Sequence, residues 1–238
     1  MNKGDRKMDL VYLYKHPPYG GDIELRYSLR SAEKFLDFDE VYIVGDRPEF
    51  LQGLNHIEFI EPGADRHRNS SNKIFKVADT LEISENFIFM NDDFFLLTEM
   101  RPVPNYTISI DHWFKTYYSL SWRQTRMLKT MELLSRNIEV FEVHAPMILN
   151  KTNILKLVNK YQLPQGSMFR TLYGNEYADE TVKLPKDYKA TDDLSLQKML
   201  KEEPPFFSTS DELVVTPLSK KILQELYPVP SRYEKSGQ

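Results

Sequence analysis

The feature that most constrains this chain is the stretch Asn86 to Leu97, NFIFMNDDFFLL, an apolar run interrupted in its middle by Asn91, Asp92 and Asp93. Phe87 to Met90 has the length and the aromatic and β-branched content of a short buried strand, and Phe94 to Leu97 resumes the apolar run at once. The two acids therefore sit at a strand's end. In an open α/β sheet, ligands bind in the crevice beyond the carboxyl ends of the strands, so side chains there project where a substrate goes. Adjacent carboxylates in such a place can share a divalent cation, and all-oxygen ligation favours Mg²⁺ or Mn²⁺. A turn between two strands uses the same residue types, and the local pattern leaves both readings open.

Alternation of elements supplies the frame around that stretch. Met8 to Tyr14 reads as a first strand after a frayed start at residues 1 to 7. A punctuated loop follows, from Lys15 and His16 through Pro17, Pro18, Tyr19 and Gly20 to Gly21. Asp22 is placed to cap a helix in which Leu25, Leu29, Ala32, Phe35 and Leu36 recur at helical spacing. Glu40 to Val44 and His56 to Ile60 are strands, a polar loop covers 61 to 72, and Asn72 to Leu81 is a helix leading into the central strand. Strand, helix, strand, strand, helix, strand is the signature of an α/β layer fold with a mostly parallel sheet and flanking helices. Beyond it, Tyr106 to Ile110 and Glu139 to Val143 read as strands, and the long aromatic and basic segment Trp113 to Leu134 as largely helical. Lys151 to Tyr161, Leu194 to Lys201 and Leu218 to Leu226 read as further helices, and the tail from Pro228 as irregular. The expectation is one domain over 1 to 238, with a core of about 8 to 110 plus 139 to 146 and helical additions at about 111 to 138 and 147 to 238.

Composition narrows the function classes. A net charge of −4 with no block of Lys and Arg gives no electrostatic reason to expect nucleic acid as a partner. The absence of cysteine excludes a disulfide framework, a thiolate zinc site and a cysteine nucleophile. No export signal is recognisable in Met8 to Tyr14, and no apolar run reaches the roughly 18 residues of a membrane helix. The expected setting is cytoplasmic, with room for peripheral attachment at the inner face of a membrane.

Three further groups of residues carry chemistry. Arg26 and Arg30, four residues apart on one helix face, either pair with acids or jointly meet an anion. His144 arrives at the end of an extended segment, followed by Ala145 and Pro146. Trp113, Tyr117, Tyr118 and Trp122 suit either stacking on a sugar or base, or core packing.

Four separated stretches resemble the Stealth family of sugar-phosphate transferases. ELRYSLRSAEKFLDFDEVYIV from Glu24 to Val44 is similar to that family's second conserved region, and NFIFMNDDFFL to the end of that region. His144 and Pro146 in EVHAPMILNK are similar to the third region, with Arg170 in SMFRTLYGN a looser match. LQELYPVPSRYEK, Leu223 to Lys235, is similar to the fourth. The resemblance implies a glycosyltransferase-A-like fold and a nucleotide-diphosphate sugar, most usually linked to uridine. It also implies transfer of a sugar-1-phosphate to a hydroxyl of a glycan or surface-polysaccharide acceptor. In that scheme Asp92 and Asp93 hold Mg²⁺ or Mn²⁺, and Arg26 and Arg30 clamp phosphate. His144 is then the general base, Arg170 adds positive charge, and Glu24 and Asn91 belong to the donor site.

The first region departs from the family pattern. Where VYTWVDGSD is expected, Val11 and Tyr12 agree, but Leu13, Tyr14, Lys15 and His16 follow. Two other readings therefore stand beside the first. One is a glycosyltransferase of the same fold that moves the sugar itself and releases a nucleoside diphosphate, with Lys15 and His16 on the nucleotide. The other is a non-catalytic sugar-binding module.

Overall fold

The computed structural model describes residues 8–17, 21–63, 65–118, 121–135, 137–163 and 167–236. Residues 1 to 7 and the loop residues Pro18, Tyr19 and Gly20 lie outside the described residues. In chain order the elements are β1 (Asp9–Tyr14), α1 (Ile23–Phe35), β2 (Val41–Gly45), β3 (Asn55–Glu58), α2 (Arg66–Ala78), β4 (Asn86–Asn91), β5 (Phe94–Leu96), β6 (Tyr106–Thr107), α3 (Ile110–Thr116), α4 (Ser121–Leu134) and β7 (Met147–Asn150). They continue with α5 (Lys151–Tyr161), α6 (Phe169–Tyr177), β8 (Val182–Lys183), β9 (Lys189–Ala190), α7 (Asp193–Leu200), β10 (Phe206–Thr209), α8 (Asp211–Val214) and α9 (Pro217–Leu226).

The main sheet runs β3-β2-β1-β4-β7. The first three pairings are parallel and β4 with β7 is antiparallel. Every residue of β1 is buried, as expected for a strand covered on both faces. A smaller sheet, β5-β10-β9, receives the chain as soon as it leaves β4. Helix α1 holds that transfer in place. Its buried stripe includes Leu25, Ser28, Leu29, Ser31 and Ala32. Ser28 Oγ donates to the Phe94 carbonyl at 2.6 Å, and the Leu96 N–H donates to Ser31 Oγ at 3.1 Å. Two serines on the buried face, which also carries Glu24, thus satisfy backbone groups that a short strand would leave unpaired.

Several sequence expectations shift for identifiable reasons. Glu139 to Val143 is not a strand. It contributes only an isolated bridge between Val140 and Ile108, and the strand that extends the main sheet is β7, just past His144. Among the described residues, the 147 to 238 segment holds five helices, yet it also supplies β7, β8, β9 and β10, whose few residues give too little periodicity to detect. The Trp113 to Leu134 segment divides into α3 and α4. Asp22 stands before α1 but makes no side-chain cap, because Tyr14 Oη donates to its carboxylate instead. Gly45 ends β2 at φ +128°, where a Cβ would lie 2.0 Å from the Tyr14 carbonyl oxygen. Only glycine permits the two strand ends to stay together there.

The tail from Pro228 is irregular but pinned. Gln52 N–H donates to the Tyr233 carbonyl at 2.7 Å, and Lys235 N–H to the Phe50 carbonyl at 3.0 Å. Glu234, whose side chain is 3% exposed, receives Arg30 Nε at 2.6 Å and Arg30 Nη2 at 2.8 Å, together with Arg26 Nη1. Glu234→Ala leaves two largely buried guanidinium groups without their anion and is expected to cost about 3 kcal/mol. That corresponds to a fall of roughly 6–12 °C in Tm for a domain of this size. An unchanged melting temperature would show that the clasp contributes nothing to stability.

Candidate functional site

The site forms where β4 ends. Asn91 is the last residue of that strand, in register with Leu13 of β1, and Asp92 and Asp93 make the turn into β5. Turn and strand-end acids are therefore compatible here, since the turn carries the chain from one sheet to the other. The register of the small sheet sets Ser208 of β10 opposite Phe94 and Lys189 of β9 opposite Ser208. Both side chains consequently reach Asp93. Lys189 Nζ donates to Asp93 Oδ2 at 2.9 Å, and Ser208 Oγ donates to the same oxygen at 2.8 Å.

His144 joins them from the loop before β7. Its Nδ1 lies 2.5 Å from Asp187 Oδ2, and its backbone N–H donates to Asp187 Oδ1 at 3.0 Å. Asp187, 4% exposed, thereby fixes both ring and backbone. With the proton on Nδ1, Nε2 is left as the acceptor, and Lys189 Nζ stands 3.3 Å from it. Arg170 shapes the same loop from α6. Its guanidinium donates to the Val143 carbonyl at 2.5 Å and contacts Glu142 Oε2 at 3.3 Å.

Electrostatics divide the acids. Burial alone would raise Asp93, but the charges of Lys189 and His144 and the two hydrogen bonds it accepts bring it down to about 2. Asp92 is lowered only weakly by the charge of Lys73. Burial, then the charge of Asp93, pushes it up to about 7. Glu24 of α1, buried and 3.4 Å from Thr209 Oγ1, is pushed up to about 9 by burial and by Asp92, Asp93 and Asp211. Four carboxylates thus share a neighbourhood in which Lys189 acts on Asp93 and Glu24 and Lys73 on Asp92, and added positive charge would be stabilised there. Among the described residues, no group of three or more His, Asp or Glu is arranged to hold a metal ion. The residues fit a hard cation of the Mg²⁺ kind, which uses one or two carboxylates and draws its other ligands from water and phosphate.

Beside His144 opens a cavity of about 250 Å³, lined by α2, α3, α4, α6 and the end of β4. Asn91, His144 and Arg170 all face it, together with Trp113, Tyr117 and Arg123. Trp113 and Tyr117 thus line a cavity as well as packing, whereas Trp122 and Tyr118 are 44% and 77% exposed.

The structure brings together Glu24, Asn91, Asp92, Asp93, His144 and Arg170. It does not bring Arg26 and Arg30 to that group: the anion they jointly meet is Glu234, so the phosphate clamp expected of them is corrected to a structural clasp. Lys15 and His16 stand beyond the ends of β1 and β2, where Lys15 Nζ is 3.3 Å and the His16 N–H 2.9 Å from Asp46 Oδ2. Sequence reasoning missed Lys189, Asp187, Ser208, Asp211 and Arg123. Only Arg123 had a signal, through the aromatic and basic character of its segment.

Asp187 gives a pH test of this assembly. Burial would raise it, but the charge and hydrogen bonds of His144 hold it below the usual carboxylate range. Its pairing stabilises the fold above the unfolded carboxylate value, and that stability is lost as pH falls through the depressed pKa. Asp187→Asn is expected to lower Tm at neutral pH and to show a shallower fall in Tm between about pH 5 and pH 2. A fall as steep as that of the unaltered protein would assign the acid sensitivity elsewhere.

No family model matches the sequence. No curated protein matches it either. Solved structures do match. The galactosyltransferase LgtC in complex with donor and acceptor sugar analogs is similar at a TM-score of 0.52 and 12% identity, over 96% of this chain and 98% of that one. An active-site mutant of LgtC gives 0.53 at 12% identity over the same shares. The glycosyltransferase GlyE of Streptococcus pneumoniae TIGR4 is matched at 0.47 and 10% identity, and this chain spans 61% of its length. At such identities the likeness is one of fold: a mixed α/β architecture with a central, mostly parallel sheet, as in GT-A-type glycosyltransferases.

Proposed function

We propose that this protein is a transferase acting on a nucleotide-diphosphate sugar, moving the sugar-1-phosphate to a hydroxyl of a glycan acceptor. The observation that carries the reading is the chain of contacts Asp187–His144–Lys189–Asp93 at the carboxyl end of β4. It sets a fixed imidazole next to a cation and a cluster of carboxylates. The fold likeness and the resemblance to the Stealth family support the same class.

In this reaction the acceptor oxygen attacks the phosphorus that bears the sugar. The bond from that phosphorus to the bridging oxygen breaks, and a nucleoside monophosphate leaves with that oxygen. The hydroxyl proton passes to Nε2 of His144, the acceptor nitrogen once Asp187 holds the proton on Nδ1, and the hydroxyl takes the place beside it that Lys189 Nζ holds at 3.3 Å. Lys189 marks where the hydroxyl would approach and offers an ammonium to phosphate oxygens. Arg170 keeps the His144 loop in place. Asp92 is the carboxylate to hold a divalent cation, with Glu24 and Asp211 in the same field. Such a cation supplies Lewis-acid screening of the diphosphate.

A second reading, favoured by the fold likeness to LgtC, is transfer of the sugar itself. Incubation with Mg²⁺ or Mn²⁺, a panel of UDP-sugars and simple glycan acceptors separates the two. UMP is the expected product, and UDP would establish the second reading. Neither nucleotide, across the panel and with binding also absent, would point to a different donor or to a module that has lost its chemistry. In the productive pair, His144→Ala should lower kcat by about 100-fold to 10,000-fold while donor binding changes little. Equal losses in both would mark His144 as a binding residue.

A further inference from the structure

The cavity beside His144 carries charge that the proposed donor chemistry does not use. Two arginines, Arg123 and Arg170, face it with one carboxylate, Glu142, among the described lining residues. Glu142 is paired with Arg170. Arg123 has no carboxylate partner among the described residues; its guanidinium lies over the Tyr117 ring at 4.6 Å and the Trp122 ring at 5.1 Å. Its Nε is shut off from solvent without a hydrogen-bond partner. A buried donor of a permanent cation left unpaired is destabilising, and a carboxylate or phosphate oxygen is its strongest complement.

Two further features say what brings that oxygen. Phe89, Trp113, Tyr117 and Phe169 line the same space, the apolar and aromatic surface on which a sugar ring packs. The volume, about 250 Å³, falls just under the roughly 300 Å³ at which pockets for larger ligands begin. It is of the size of one sugar unit. His144 stands on the wall, so the occupant presents its hydroxyl to the imidazole.

We propose that this cavity is the acceptor subsite and that it takes a sugar bearing a negative charge, phosphate or carboxylate, held by Arg123 with the ring against the aromatic wall. The acceptor assignment rests on the transferase reading above; the binding of an anionic sugar does not.

The test is calorimetric titration of the full chain with a hexose 6-phosphate, the corresponding hexuronate, the neutral hexose and inorganic phosphate. Binding of at least one anionic sugar is expected, about tenfold or more tighter than the neutral hexose and than inorganic phosphate. The stronger of the two identifies the charged group. Arg123→Ala should abolish that preference with Tm nearly unchanged. Arg123→Lys, which keeps the charge but loses the forked donor, should recover only part of it. Absence of binding by either anionic sugar, or a preference that survives Arg123→Ala, overturns the proposal. So does equal binding of inorganic phosphate. Nucleotide release is scored separately. Release without anion preference removes this inference and leaves the transferase reading; anion binding without any release does the reverse.

Discussion

The contact on which the rest of the site depends is the ion pair between Asp93 and Lys189. Asp93 sits where the chain leaves the main sheet, and Lys189 comes from the small sheet that receives it. The same lysine reaches His144, which Asp187 orients. One cation therefore couples the turn after β4, the loop before β7 and the outer strand β9. These pieces are separated by tens of residues in sequence, and the register of the small sheet, Ser208 on Asp93 and Asp187 on His144 bring them to the same point. Burial makes the coupling strong, because a carboxylate removed from water needs a partner to stay ionised.

A consequence is that the two adjacent aspartates are not equivalent. Asp93 is neutralised from within the chain, whereas burial and the charge of Asp93 raise Asp92, and burial and the charge of Asp92 raise Glu24. A pair of acids that looks like a symmetric metal site in the sequence is divided into a structural member and one that seeks a cation. That division suits a ligand arriving with its own charge and its own oxygen atoms. The cavity on the other side of His144 has the opposite character, with Arg123 lacking a carboxylate partner among the described residues. The imidazole stands between an acid-rich region and a base-rich one.

Much of the parallel sheet was legible because β1, β2 and β4 are compact apolar runs set off by turn residues, while β3, NHIE, showed only through the alternation around Ile57. The NDD stretch announced the site for the same reason: charge in the middle of such a run has to be explained. His144 and Glu24 were found through motif resemblance and fall in the site. Arg26 and Arg30 were visible as a pair, but their partner, Glu234, lies more than two hundred residues away and follows no local periodicity. Lys189, Asp187 and Ser208 were illegible for a related reason. They are ordinary residues on two- to four-residue strands and a loop, and only the register of β9, β10 and β5 gives them a role. The Glu139 to Val143 reading failed by a few residues, since β7 is short and half of its side chains are only partly buried.

The most direct measurement of the central claim is to follow the phosphorus. A UDP-sugar radiolabelled in the phosphate adjoining the sugar should pass its label to the acceptor, where it resists phosphatase as a diester. Label retained in the released nucleotide would contradict sugar-phosphate transfer, because the bond broken would then lie between sugar carbon and oxygen.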